Sequence, residues 1–229
     1  MGRTNGIHHL AISTAKVKEQ IEFFTDVLGA ELKALYWMHG ADRTFHAFLR
    51  LCDSSYVAFV QSEATQHIDG QAGISHAAGY DAPSAPGTMQ HVAFNVETEA
   101  DQLAMRDRIR SRGINVFGPL DHGMCKSIYF AGPEGLLLEV ATSEAVIDER
   151  AWIDPEVVAL AGISADELAG YLEPRRYADE AGGVAQPAID WSKPHFLPKE
   201  SFEWLMTTSD EEITRRLSRP EPPVPVPAD

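Results

Sequence analysis

The sequence predicts an α+β fold of two βαβββ modules followed by a mainly helical C-terminal extension. Three observations predict it. Two stretches, about residues 6–62 and 88–143, follow one plan. Each opens on an apolar segment that carries a histidine. After residue 143 the strand-like segments give way to helix-start signals.

The opening segments are Ile7–Ile12, with His8 and His9, and Met89–Phe94, with His91. A helix follows in each module. Val17, Ile21, Phe24 and Leu28 recur at helical spacing before Gly29; Leu103, Met105 and Ile109 do so before Gly113. Both glycines suit the left-handed residue that ends a helix. Three strand-like segments complete each module: Glu31–Trp37, Thr44–Leu51 and Ser55–Gln61 in the first, and Asn115–Gly118, Lys126–Phe130 and Leu136–Ala141 in the second. Gly132-Pro133-Glu134-Gly135 reads as a tight turn between the last two.

The implied organisation is a first module at 1–63, a linker loop rich in Gly, Ala, Ser and Pro at 64–87, a second module at 88–145 and the extension at 146–229. In the extension, Ser164 and Ser209 read as helix N-caps ahead of acidic first turns. Trp152, Trp191, Phe196, Phe202 and Trp204 give it apolar surface for docking, either on the open side of the sheet or on a second subunit. The proline-rich end, 220–229, is expected to be extended or disordered.

The chain has 229 residues and a formal net charge of −15. That balance argues against nucleic acid and anionic membrane surfaces, both of which need a basic footprint. No apolar run is long enough to span a bilayer. The first ten residues lack the apolar core of a secretory signal, so the cytoplasm is the expected compartment. Two cysteines, Cys52 and Cys125, are too few for a disulfide framework or a zinc-finger cluster.

The chemistry concentrates on three residues. Glu139 stands in the apolar run Leu136–Val140. A carboxylate buried there needs a cation, a set of donors or a metal. His9 and His91 head the two repeats, and a pseudo-twofold would bring their strands together. Matching Glu139-Val140-Ala141-Thr142 to Phe59-Val60-Gln61-Ser62 makes Phe59 the counterpart of Glu139, so the first module offers no fourth ligand. Two imidazoles and one carboxylate with open positions suit non-haem Fe(II) and tolerate Mn(II); Zn(II) and Co(II) are also accepted by such donors. His8 competes with His9, but adjacent strand residues face opposite ways, and the repeat pattern selects His9. His46 is left open between the site and the core edge.

The paired modules, the leading histidines and the run Tyr129–Glu139 resemble the vicinal oxygen chelate superfamily over about residues 6–143. That superfamily includes glyoxalase I, methylmalonyl-CoA epimerase, the fosfomycin- and bleomycin-resistance proteins and extradiol dioxygenases. The resemblance implies a curved mixed sheet around a divalent metal. Gly132 stands where many relatives carry Asp, a change expected to matter to the turn and not to the chemistry. The His, His, Glu set is most similar to that of the extradiol dioxygenases. The same resemblance assigns Tyr129, ten residues before Glu139, to a substrate oxygen, and His122 and His76 to proton transfer.

The expected activity is therefore oxidative cleavage of a catechol-like aromatic diol by an Fe(II)- or Mn(II)-dependent homodimer. Trp37, Phe48, Phe59 and Phe94 are candidate pocket residues. Two alternatives use the same fold: a lyase, isomerase or epimerase that stabilises an enediolate on the metal, and a resistance protein that sequesters a ligand.

Overall fold

The structure, a computed structural model, describes residues 4–175 and 183–225. Of the proline-rich end, residues 226–229 lie outside the described residues. The contacts divide the described residues into two units, 4–172 and 173–225.

The first module runs β1 (His9–Ser13), α1 (Val17–Asp26), β2 (Glu31–Trp37), β3 (Thr44–Cys52) and β4 (Ser55–Ser62). A 3-10 turn at Ala64–His67 opens the linker. The second module runs β5 (Val92–Val96), α2 (Glu99–Ser111), β6 (Phe117–Asp121), β7 (Lys126–Ala131) and β8 (Leu137–Thr142). The sheets repeat each other, with orders β1-β4-β3-β2 and β5-β8-β7-β6. In each, the first and last strands of the module pair in parallel and the others are antiparallel.

Glycines at φ 79° and 77°, Gly29 and Gly113, follow the two helices as the sequence predicts. The start of α2 is held by a capping box, with Thr98 accepting from the Asp101 N–H and Asp101 returning to the Thr98 N–H. The sixth strand lies three residues later than expected at its C-terminal end and contains Pro119. As an edge strand it tolerates a residue without an N–H.

One face of each sheet packs into a shared core. Leu10, Ile12, Val57 and Phe59 contribute from the first sheet, and Ile128, Leu138 and Val140 from the second. Phe24 of α1 joins the two: its ring centroid lies 5.0 Å from that of Phe59 and 6.0 Å from that of Phe94. The modules are also tied by polar contacts. The Arg108 guanidinium donates to the carbonyls of Val27 and Asp26 at 2.9 Å each, at the end of α1. Glu134, held at φ 57° in the turn before β8, accepts from the Thr14 hydroxyl, from the Ala15 N–H at 2.9 Å and from the Gln20 amide at 2.9 Å. Burial pushes the Glu134 carboxyl up, but these three donors outweigh it and hold the group below its ordinary value.

Among the described residues, five helices follow: α3 (Glu149–Trp152), α4 (Pro155–Leu160), α5 (Ala165–Leu172), α6 (Lys199–Thr207) and α7 (Asp210–Leu217). Ser164 and Ser209 cap α5 and α7, with side chains that accept from the N–H groups of Glu167 and Glu212. The unit of residues 4–172 includes the first three of these helices. In the second unit, Trp191, Phe196 and Phe202 cluster with His195. Among the described residues, no helix is long and apolar enough to cross a membrane.

Candidate active site

The other face of each sheet carries the candidate site residues. On the first sheet, strand register aligns His9 with Tyr56, Arg50 with Tyr56, Phe48 with Ala58, and His46 with Val60 and Tyr36. His9, Tyr56, Phe48, His46 and Tyr36 therefore share one face. The His9 and Phe48 rings are 5.3 Å apart, and those of His46 and Phe48 4.5 Å. His46, which the sequence left between site and core edge, stands on this face with only 9% of its surface exposed. The Tyr36 hydroxyl lies 3.3 Å from its Nδ1, and its Nε2 is buried without a partner. Burial, and then the neighbouring His9, lower the His46 pKa from its ordinary value.

The second sheet carries the carboxylate. Register pairs Glu139 with Ala93 on one side and Tyr129 on the other. The ten-residue spacing of Tyr129 and Glu139 thus makes them direct cross-strand neighbours around the Gly132–Gly135 turn. Glu139 is 5% exposed, and its Oε2 lies 2.8 Å from His91 Nε2. The other ring nitrogen of His91 bonds to the side-chain oxygen of its neighbour Gln90. His122 Nε2 lies 3.2 Å from the Tyr129 hydroxyl. Burial and then the charge of Glu139 raise the Tyr129 pKa, so the phenol keeps its proton well past neutrality.

The turn that bears His122 is closed by the Gly123 N–H donating to Asp121 at 2.7 Å. Trp152 of α3 covers it: a Cβ built on Gly123 would stand 2.9 Å from the indole. Tyr80, from the linker, adds an aromatic wall, with its ring 5.6 Å from that of Tyr129 and 5.5 Å from that of Phe117. Neither Gln90 nor Tyr80 stood out in the sequence. The one available signal was that Gln90 adjoins His91.

The structure brings His91, Glu139, Tyr129 and His122 together. It does not bring His9 or His76 into that group. The His9 Nδ1 instead lies 2.9 Å from Nδ1 of His8. His8, expected to turn outward, is exposed, with its ring 5.5 Å from that of Tyr56. His76 bonds Ser75 at 3.0 Å and packs against Gly135. It lines a cavity of about 780 Å3 with Thr14, Gln20 and Glu134. Among the described residues, no three His, Cys, Asp or Glu side chains are arranged to hold a metal ion.

Two further expectations change. Phe59 is not the counterpart of Glu139. It pairs with Ile12 and Ala47 and is fully buried in the core. Glu139 pairs with the second residue after His91 and with Tyr129; the second residue after His9, Ala11, pairs with Ala58, which also pairs with Phe48. Ala58 is the counterpart, and it too lacks a ligand atom. Of the proposed lining residues, Phe48 lies on the same face of its sheet as His9, while Phe59 and Phe94 belong to the core and Trp37 packs on Phe45 at 4.8 Å.

The sequence model of the glyoxalase/bleomycin resistance protein/dioxygenase superfamily matches residues 6–140. The chain belongs to that superfamily. Among curated proteins it is similar to biphenyl-2,3-diol 1,2-dioxygenase 2 of Rhodococcus globerulus, with 26% identity over 140 residues. That match spans 61% of this chain and 64% of the relative. Among solved structures it is similar to a glyoxylase/bleomycin resistance protein/dioxygenase domain from Frankia sp. EAN1pec, with 14% identity, a TM-score of 0.47 and coverage of 62% of this chain and 100% of that one. The fosfomycin resistance protein FosX of Listeria monocytogenes, solved with Mn(II) and sulfate, gives 16% identity, a TM-score of 0.43 and coverage of 65% and 99%. The family model leaves residues 141–229 unmatched.

Proposed function

We propose that this superfamily member is a metal-dependent dioxygenase that cleaves a catechol-like aromatic diol, with His9, His91 and Glu139 as metal ligands. The observation that carries this reading is the buried Glu139 carboxylate, joined to His91 at 2.8 Å and paired across the sheet with Tyr129, whose hydroxyl meets His122. The distant similarity to a biphenyl-diol dioxygenase supports the choice of reaction.

His91 and Glu139 stand together as two donors suited to a divalent metal, while the structure leaves His9 apart from them. A carboxylate at 5% exposure needs a positive partner, and His91 Nε2 already faces it. A metal would take the place of the proton between them, and His9, from the first sheet, would be the third donor. Fe(II) or Mn(II) suits two imidazoles and a carboxylate; Zn(II) is accepted by the same atoms. When bound, the metal supplies Lewis acidity and a template for two chelating oxygens.

The chain's own groups do the rest. Tyr129, protonated at neutral pH, donates a hydrogen bond to a substrate oxygen. His122, within hydrogen-bond reach of the Tyr129 hydroxyl, accepts and returns a proton there. The rings of Tyr80 and Phe117, tilted to one another, offer apolar surface beside Tyr129.

The test is oxygen uptake by the Fe(II)-loaded protein over a panel of catechols that includes biphenyl-2,3-diol. One O2 consumed per diol, abolished by Glu139→Ala, is expected. Stoichiometric metal without oxygen uptake on any diol would replace this reading with a lyase or isomerase. Absence of stoichiometric metal after Fe(II) and Mn(II) loading would replace it with a ligand-binding protein.

A further inference from the structure

Gln90 stands between His91 and the linker, and its amide is used at both ends. Its side-chain oxygen accepts from the His91 Nδ1–H. Its amide nitrogen faces three linker carbonyls: Tyr80 at 3.1 Å, Gly79 at 3.3 Å and Ala82 at 3.3 Å. A primary amide is suited to this, since it offers two donor hydrogens and one acceptor in a fixed plane. Those linker residues carry the Tyr80 ring, which is 48% exposed yet lies 5.6 Å from the Tyr129 ring. A histidine that gives Nδ1–H to an acceptor keeps the Nε2 lone pair for a metal. The same amide therefore orients a ligand and anchors an aromatic wall.

We propose that Gln90 is a positioning residue that ties the 64–87 linker to the metal-binding imidazole of His91, and that Tyr80, held by this tie, is the surface on which a flat aromatic substrate stacks. The inference rests on the metal-site reading for its first half and on linker geometry alone for its second. Order in the linker and affinity for the metal are then linked: each favours the other through one side chain.

Two variants separate the two ends of the amide. Gln90→Ala removes both. Gln90→Glu keeps an oxygen for His91 but sets a carboxylate against three carbonyls, so it should free the linker alone. Zn(II) affinity is measured by competition with a chromophoric chelator, and amide hydrogen exchange of residues 79–82 by mass spectrometry, with circular dichroism to establish that each variant is folded. Gln90→Ala should weaken Zn(II) binding by about 10- to 100-fold, as expected for an outer partner of a ligating histidine. Gln90→Glu should bind Zn(II) close to wild type. Both should exchange faster than wild type at 79–82 in the metal-free protein, and both should raise KM for an aromatic diol more than they lower kcat. Unchanged exchange in both variants, or wild-type Zn(II) affinity in Gln90→Ala, overturns the proposal. A wild-type chain that takes up no Zn(II) defeats the metal reading instead, and the exchange result still decides whether Gln90 anchors the linker.

Discussion

Phe24 is the side chain through which the two modules share a core, and replacing it tests that sharing. It is fully buried, and its ring meets Phe59 of its own module and Phe94 of the other. A buried Phe→Ala change costs about 3–5 kcal/mol. With a urea dependence of about 2 kcal/mol per molar, the midpoint of unfolding should fall by roughly 1.5–2.5 M. Against a total stability of about 5–15 kcal/mol, this loss is a third or more of the total at the low end of that range. Urea titration by circular dichroism gives the midpoint, and native-state hydrogen exchange at Ile128 and Leu138 shows whether the second module follows. Because the core is common, the amides of that module should lose protection with the rest. A loss under about 1 kcal/mol, or protection unchanged in the second module, would refute a shared core centred on Phe24.

Glu139→Gln keeps the shape of the side chain but not its charge, and should weaken Zn(II) binding by more than about 100-fold, since outer partners alone are worth 10–100-fold; chelator competition reads this directly. Tyr129→Phe should leave metal affinity unchanged and lower kcat on a catechol by roughly 100-fold, and an unchanged kcat would remove Tyr129 from the chemistry. His46 is held neutral by burial, below its ordinary pKa of 6.5. Its contribution to stability is present above pH 6.5 and is lost as pH falls through the lowered folded value; the melting temperature of His46→Phe should therefore drop less between pH 7 and pH 5 than that of wild type. Gly123→Ala combines φ +79° with a Cβ 2.9 Å from Trp152, and should cost about 1–2 kcal/mol in chemical denaturation while disturbing the turn that carries His122.

Much of the fold was legible because it is written twice. The two histidine-headed segments, the helix apolar spacing and the terminal glycines agree with each other, so each module supports the reading of its twin. Glu139 was legible for a different reason, as a charge inside an apolar run. What failed was register. Val57, Ala58 and Phe59 are all buried, so β4 shows no alternation by which to choose a face, and the match slipped by one residue from Ala58 to Phe59. Residue pairing across the sheet resolves this where sequence similarity between the repeats cannot. Gln20 and Gln102 show the opposite case: each lies eleven residues after its leading histidine and each is buried, a repeated polar position that the apolar pattern conceals. Gln90 and Tyr80 were invisible because their roles depend on where a linker without periodicity folds back.

The turn around Glu134 bears on how such a chain can change over time. In the second module that turn reaches across to Thr14, Ala15 and Gln20. In the first module only Asp53 and Ser54 separate the corresponding strands, and Asp53 pairs locally with Arg50 at 3.7 Å. The halves have the same outline but are no longer interchangeable: one supplies the clasp and the acidic site residue, the other the surfaces they grip. Two copies of the second half would keep an amide, Gln102, at the position of Gln20 but would carry Val96 where Thr14 supplies its hydroxyl, and two copies of the first would lack Glu139 altogether. A gene rearrangement that duplicated the first half alone would therefore lose the acidic site residue, and one that duplicated the second would lose the hydroxyl that the Glu134 clasp grips.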